Sequence, residues 1–253
     1  MILAAGLSDV GCRRDTNQDR ISIDLQYLIF VVADGMGGER CGGLAAELVT
    51  TTVAECLKKP GVGTDLWPFG YEAASDLASN RMRTAIRRAH QAILEHSIGR
   101  PECKGMGSTI SAVTIEGKTA TIGSLGDSRV YLHRSSVLSP LTKDDSVVAH
   151  LLDSGKIEPA DVETHPMRSV LTQAAGKSKK IHPQVTQFIL NHADRLLLST
   201  DGLHGVIRDE IINQIAGFGD DVEVTARKLI VEGRKLGAPD NISCIVIEYV
   251  DEA

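Results

Sequence analysis

The run Tyr27-Leu28-Ile29-Phe30-Val31-Val32-Ala33 is the longest apolar stretch in the chain, and it stops on Asp34-Gly35-Met36-Gly37-Gly38. Seven apolar residues are far too few to cross a membrane, and the length suits a strand buried on both faces. The stop is more restrictive than the run. Three glycines around one carboxylate exceed what a tight turn needs, and they let backbone carbonyls and amides approach an ion or a phosphate. Whatever fold the chain adopts must therefore set a carboxylate and a bare backbone at the end of a buried strand.

The rest of the chain supplies more strands. Residues 2–7 and 20–25, the latter alternating at Ile21 and Ile23, join 27–33 as a first set. Residues 44–57 and 73–96 carry apolar side chains three and four apart, such as Ala85, Ile86, Ala89 and Ile93, and are expected to form amphipathic helices. Pro60 to Gly63 with Trp67 and Pro68 read as the loop between them. A second strand set covers 108–115, 119–125 and 129–133, with Glu116-Gly117-Lys118 and Gly126-Asp127-Ser128 as hairpin turns. From 140 to 180 the pattern weakens around a short helix at 146–154. Strands return at 185–190 and 195–199, helices at 208–216 and 222–236, and a last strand at 242–249. No repeat or linker interrupts the sequence, so residues 1–253 are expected to form a single α+β domain.

Composition narrows the function. Hydrophobic residues at 42% and charged residues at 24% suit a globular chain with a sizeable core. A net charge of −6 argues against nucleic-acid binding, which needs a basic face. The odd number of cysteines (Cys12, Cys41, Cys56, Cys103, Cys244) includes no Cys-x-x-Cys pair, which suggests reduced thiols in a cytoplasmic protein rather than disulfides or a zinc site. Met1 to Leu7 lack a basic leader and do not read as a signal peptide. No membrane partner is expected.

The acidic residues give the chemistry. Asp9 and Asp19 lie near the first strand, Asp34 after the third, Asp127 in the second turn, Asp201 after Leu196-Leu197-Leu198, and Asp240 just before the last strand. Singly, Asp-Gly and Asp-Asn are ordinary turn formers. Together they place carboxylates on loops that a sheet can gather at one edge, where they repel one another unless a cation compensates. Oxygen ligands without a histidine or cysteine cluster suit Mg²⁺ or Mn²⁺.

In order, the stretches Ser8-Asp9-Val10-Gly11-Cys12-Arg13-Arg14 with Asn17-Gln18-Asp19, Asp34-Gly35-Met36-Gly37-Gly38, Gly107-Ser108-Thr109, Gly126-Asp127-Ser128-Arg129, Ser199-Thr200-Asp201-Gly202 and Asp240-Asn241-Ile242-Ser243 resemble the motifs of the PPM-type metal-dependent serine/threonine protein phosphatases, the protein phosphatase 2C family, in their compact bacterial form. The resemblance implies a four-layer α-β-β-α sandwich of two antiparallel sheets flanked by helix pairs, with a flap at about 144–180 and two Mn²⁺ or Mg²⁺ ions at one end. Asp34 would bridge both ions. Asp201 and Asp240 would complete one site, the Gly35 carbonyl and Asp19 the other, and Asp127 with Asp201 would hold a third, weaker ion. Arg14 would grip the substrate phosphate, Asp9 would brace the Arg14 loop, and Asn241 would orient Asp240.

The implied activity is hydrolysis of phosphoserine and phosphothreonine in proteins by a metal-bridging hydroxide, since a metal pair lowers the pKa of bound water and neutralises an in-line displacement. Arginine suits phosphate because its fork donates two parallel hydrogen bonds. No cysteine is followed six positions on by arginine, so a cysteine-based phosphatase loop is absent. Implied partners are phosphoproteins, including a serine/threonine kinase and its targets, acted on by a monomer. Two alternatives stay open: a catalytically inactive phosphate-sensing or kinase-binding module of the same fold, and a small-molecule phosphoesterase. Two positions depart from the family pattern: Gln18, where some relatives use glutamate, and Asp145, where relatives commonly carry histidine. An acid at 145 is expected to disfavour acidic phosphopeptides or to assist a weakly bound metal.

Overall fold

The apolar run becomes β3 (Ile29–Met36), a strand whose two faces serve different cores. Ile29, Val31 and Ala33 join one cluster and Phe30 and Val32 another, as the two-residue period of a strand requires. The computed structural model describes residues 1–58, 67–162, 164–217 and 219–251. The expected loop at Pro60 to Gly63 lies outside them.

Two antiparallel sheets face each other. One has the order β1 (Ile2–Asp9), β11 (Ile242–Tyr249), β10 (Arg195–Ser199), β7 (Arg129–Arg134), β8 (Val137–Pro140). The other runs β2 (Asp19–Asp24), β3, β5 (Ile110–Glu116), β6 (Thr119–Leu125), β9 (Gln184–Ile189), with the two-residue β4 (Gly107–Ser108) on β3. Between them lies the core of Phe30, Val32, Ile122, Leu196, Leu198, Ile245 and Ile247. Outside the β3 sheet, α1 (Gly38–Lys58) and α2 (Leu77–Ser97) bury Val49, Val53, Met82 and Ile86. Outside the β11 sheet, α4 (Asp201–His204), α5 (Asp209–Gly217) and α6 (Val222–Lys235) bury Leu203, Ile212, Ala226 and Leu229. These are the α-β-β-α layers. The helix α3 (Val147–Asp153) belongs to the long excursion between β8 and β9.

Several expectations are corrected. Gly126-Asp127-Ser128 is not a hairpin: β6 pairs with β5 and β9, while β7 pairs with β10 and β8, so this turn carries the chain from one sheet to the other. Ser128 is held at the crossing, where its hydroxyl meets that of Thr109 at 2.6 Å and its carbonyl accepts from Ser111 Oγ at 2.6 Å. Helix α2 starts at Leu77 instead of residue 73, because the Asp76 carboxylate caps it, accepting from the Ser79 N–H at 2.9 Å. The exposed β8 had no apolar alternation to announce it. Cys41 and Cys103 form a disulfide, against the expectation of reduced thiols throughout; a separation of 62 residues hid the pair. Among the described residues no helix is long and apolar enough to cross a membrane.

Candidate metal centre

The strand ends at one edge of the sandwich carry the acidic residues. Asp19 opens β2 and Asp34 lies near the end of β3, and the two are direct cross-strand partners. Asp201 opens α4 just after β10, Asp240 precedes β11, and Asp127 sits in the crossing from β6 to β7. Glycines make the close approach possible. A Cβ on Gly35 would stand 2.0 Å from the Gly42 carbonyl oxygen, and one on Gly202 would stand 1.8 Å from that of Asn241. Only hydrogen at these positions lets α1 seat against the Gly35 backbone and α4 against the Asp240-Asn241 segment.

Each carboxylate is held by its surroundings. Asp19 is buried, and its Oδ2 accepts at 2.9 Å from Oγ1 of Thr200, just past the end of β10, and at 2.7 Å from Oγ of Ser243 in β11. The Asp34 backbone exchanges two hydrogen bonds with Thr109, whose Oγ1 accepts the Asp34 N–H and whose N–H reaches the Asp34 carbonyl. Through the Thr109 and Ser128 hydroxyls this knot continues to the Asp127 turn. Asp240 accepts from the Asn241 N–H at 2.8 Å and from Arg14 Nη2 at 2.8 Å. Asp201 Oδ1 is buried without a hydrogen-bond partner.

The electrostatics record the crowding. Burial pushes the Asp19 carboxyl up to about 7 against the pull of its two hydroxyl donors, with Asp201 and Asp240 adding to the rise. Burial raises Asp127 to about 8, with the charges of Asp201 and Asp144 behind it. Asp34 is driven well above the carboxylate range, first by burial and then by Asp19, Asp201, Asp127 and Asp240. Asp201 is raised by burial and then by Asp240. Asp240 in turn holds the Arg14 guanidinium in its charged form.

Among the described residues no three acidic, histidine or cysteine side chains already stand in the close array that grips an ion. The fit to a hard cation rests on other observations. The donors are all oxygens, the neighbouring carboxylates raise the pKa of Asp34 and that of Asp240 raises Asp201, and Asp201 Oδ1 is a buried oxygen without a hydrogen-bond partner. These residues fit Mn²⁺ or Mg²⁺.

The other expected residues fall nearby. Asp9 accepts from the Gly11 N–H at 2.8 Å and from Arg234 of α6, tying down the loop that carries Arg14. Asn241 meets Asp240 through its backbone N–H. Its side chain accepts from the Gln18 N–H and donates to the Val10 and Thr16 carbonyls, stapling the same loop. Gln18 donates to the Gly38 carbonyl.

Sequence reasoning gave no role to four side chains around the centre. Thr200 and Ser243, inside quoted motifs, were given no role, although a hydroxyl beside a strand-end aspartate is a signal. The Nδ1 of His204 lies 2.9 Å from Ser199 Oγ and its ring packs edge-on to Tyr131; burial lowers its pKa well below the usual range. Arg129 clasps Asp144 with two bonds of 2.8 Å and reaches Tyr131 OH at 2.8 Å. A cleft of about 780 Å³ runs from Asp127 and Asp201 between these residues, Arg168 and Arg208.

A two-sheet sandwich with helix layers and a carboxylate-lined end is the architecture of a metal-dependent phosphoester hydrolase. The family profile described as Protein phosphatase 2C matches residues 13–229, and the chain belongs to that family, the PPM-type phosphatases. The serine/threonine protein phosphatase PstP of Mycobacterium tuberculosis is 32% identical over 247 residues, covering 98% of this chain and 45% of PstP. The protein phosphatase PhpP of Streptococcus pneumoniae is 30% identical over 254 residues, 97% of each chain. The chain thus spans less than half of PstP and nearly all of PhpP. A crystal structure of Mycobacterium tuberculosis PstP superposes with a TM-score of 0.87 at 31% identity, covering 99% of each chain. The PstP catalytic domain in complex with two manganese ions gives 0.85 at 30% identity, again covering 99% of each.

Proposed function

We propose that this chain removes phosphate from phosphoserine and phosphothreonine in proteins at the centre formed by Asp19, Asp34, Gly35, Asp201 and Asp240, with Asp127 and Asp201 holding a third, weaker ion. The observation that carries the reading is the crowding of Asp19, Asp127, Asp201 and Asp240 around Asp34, whose carboxyl their charges drive upward, together with the buried Asp201 Oδ1 that no hydrogen bond satisfies. Bound Mn²⁺ or Mg²⁺ would supply a water of lowered pKa and neutralise charge at phosphorus. The protein's own residues do the positioning. Asp34 joins the two halves of the group, Asp19 is fixed by Thr200 and Ser243, and a glycine at position 42, where a Cβ would stand 2.7 Å from the Gly35 carbonyl oxygen, keeps that oxygen uncrowded. Arg14 stands exposed at the rim on Asp240, where its fork can turn to the phosphate of an incoming substrate.

Phosphoprotein substrates, a partner kinase and a monomeric state belong to the same proposal, as does a cytoplasmic setting. In a reducing cytoplasm the Cys41 and Cys103 sulfurs would stand as adjacent thiols. Phosphate release from a phosphothreonine peptide and from p-nitrophenyl phosphate, with Mn²⁺ and with chelator, tests the reading. Mn²⁺-dependent turnover of the peptide is expected. No turnover at saturating Mn²⁺ would leave a binding module, and turnover of the small ester alone would leave a small-molecule phosphoesterase.

A further inference from the structure

Asp145 is an acid whose oxygens all point at neutral donors inside the protein. Oδ2 accepts the Gly126 N–H at 3.0 Å, and Oδ1 accepts Gln173 Nε2 and Gln184 Nε2, each at 3.2 Å. The backbone closes the same clamp, since the Asp145 N–H reaches the Gly126 carbonyl at 2.8 Å and the Asp145 carbonyl accepts the Thr172 N–H at 2.7 Å. Both glutamines are committed elsewhere as well. Gln173 Oε1 accepts the His182 N–H at 2.7 Å, and Gln184 Nε2 donates to the Lys143 carbonyl at 2.8 Å. One carboxylate thus joins the Gly126-Asp127 turn, both ends of the excursion between β8 and β9, and the start of β9. Both carboxylate oxygens are engaged by donors of the protein itself.

We propose that Asp145 is a positioning residue that latches the flap to the turn carrying Asp127, so that flap and Asp127 are held as one unit. The link to cation affinity rests on the reading of Asp127 as a ligand of the weaker ion. The hydrogen-bond pattern makes asparagine a sharp probe. Its NH₂ must replace either Oδ1, and face two amide donors, or Oδ2, and face the Gly126 N–H. Gln173 cannot rotate its amide to compensate without orphaning the His182 N–H. Asp145→Asn therefore places donor against donor while conserving shape.

Asp145→Asn, Gln173→Leu and the double variant Asp145→Asn/Gln173→Glu, each checked for native circular dichroism, are compared with the unaltered chain. In the double variant the new carboxylate can accept from both the asparagine NH₂ and the His182 N–H. Without metal, proteolytic nicking within residues 154–169 is expected to speed up about tenfold in Asp145→Asn, less in Gln173→Leu, and to return towards normal in the double variant. Calorimetric titration with Mn²⁺ alone should show the weaker site loosened about tenfold in Asp145→Asn with the tighter sites retained. Unchanged nicking in a folded Asp145→Asn overturns the latch, and faster nicking with unchanged weak-site affinity overturns its coupling to Asp127. If the unaltered chain takes up only two Mn²⁺, the third-ion reading fails, and the nicking comparison alone decides the latch.

Discussion

Asp19 and Asp34 stand directly opposite each other on neighbouring antiparallel strands, which puts two carboxylates on one face of the sheet at closest cross-strand range. Like charges in that relation are destabilising, so the pair is maintained at a cost that a bound cation offsets. On the proposed assignment, replacing Asp34 by asparagine would remove a ligand shared by the two ions. Mn²⁺-dependent turnover of p-nitrophenyl phosphate should fall by at least about a hundredfold, since losing even an outer partner of a metal ligand costs 10 to 100-fold. Retained turnover in a folded Asp34→Asn chain would remove Asp34 from the centre.

Thr200→Val and Ser243→Ala each delete a hydroxyl from Asp19 Oδ2. Each should weaken Mn²⁺ binding about tenfold or more without abolishing it. Equilibrium dialysis with Mn²⁺ reads this directly, and wild-type affinity in both variants would assign the hydroxyls to packing alone.

Arg14→Ala should act chiefly on KM. The side chain is exposed and its charged hydrogen bonds are worth roughly 1.5 to 3 kcal/mol, or about 10 to 100-fold in kcat/KM. Arg14→Lys should recover only part, because a point charge cannot reproduce the fork. Steady-state kinetics on a phosphothreonine peptide separate the constants, and a normal KM would exclude the phosphate contact.

Asp19, raised to about 7, and Asp127, raised to about 8, make the metal-free protein sensitive to pH in a defined direction. A carboxyl with a raised folded pKa binds its proton more tightly in the folded chain than in the unfolded one. The resulting stability is complete in the acid range below the ordinary carboxylate pKa and is lost as pH climbs through 7 and 8. In chelator, the melting temperature should therefore fall between about pH 5 and pH 9. With Mn²⁺ the trend should reverse, because the ion competes with those protons. Parallel melting curves in the two conditions would show that metal and protons do not share these groups.

Asp144→Asn removes the charge that Arg129 grips with two bonds, in a pair that is largely but not fully buried. Urea unfolding should report a loss of about 1.5 to 3 kcal/mol, smaller than for a fully enclosed pair because solvent screens part of the charge.

The sequence made the layers legible because apolar periodicity follows directly from which face is buried. In β3 every position from Ile29 to Ala33 is covered, and the continuous run announced it. The aspartates were legible because turn chemistry and strand ends coincide. What stayed hidden was set by partners remote in sequence. Asp19 owes its place to Thr200 and Ser243 across the sandwich, and the Asn241 side chain makes its hydrogen bonds to the loop at 10–18. The crossing at Gly126 looked like a hairpin because two short strands flank a glycine-aspartate turn in either case. Only the pairing partners of β6 and β7 tell the two apart.

The acidic end is assembled from both sheets, with Asp19 and Asp34 on one and Asp201 and Asp240 beside strands of the other. An ion gripped by both is a rivet through the sandwich, and its binding free energy counts directly towards folding. The folded population of this domain then follows the supply of the free ion by mass action. Metal scarcity would deplete the protein itself as well as empty its catalytic site, and proteases that act on opened chains would make that loss permanent.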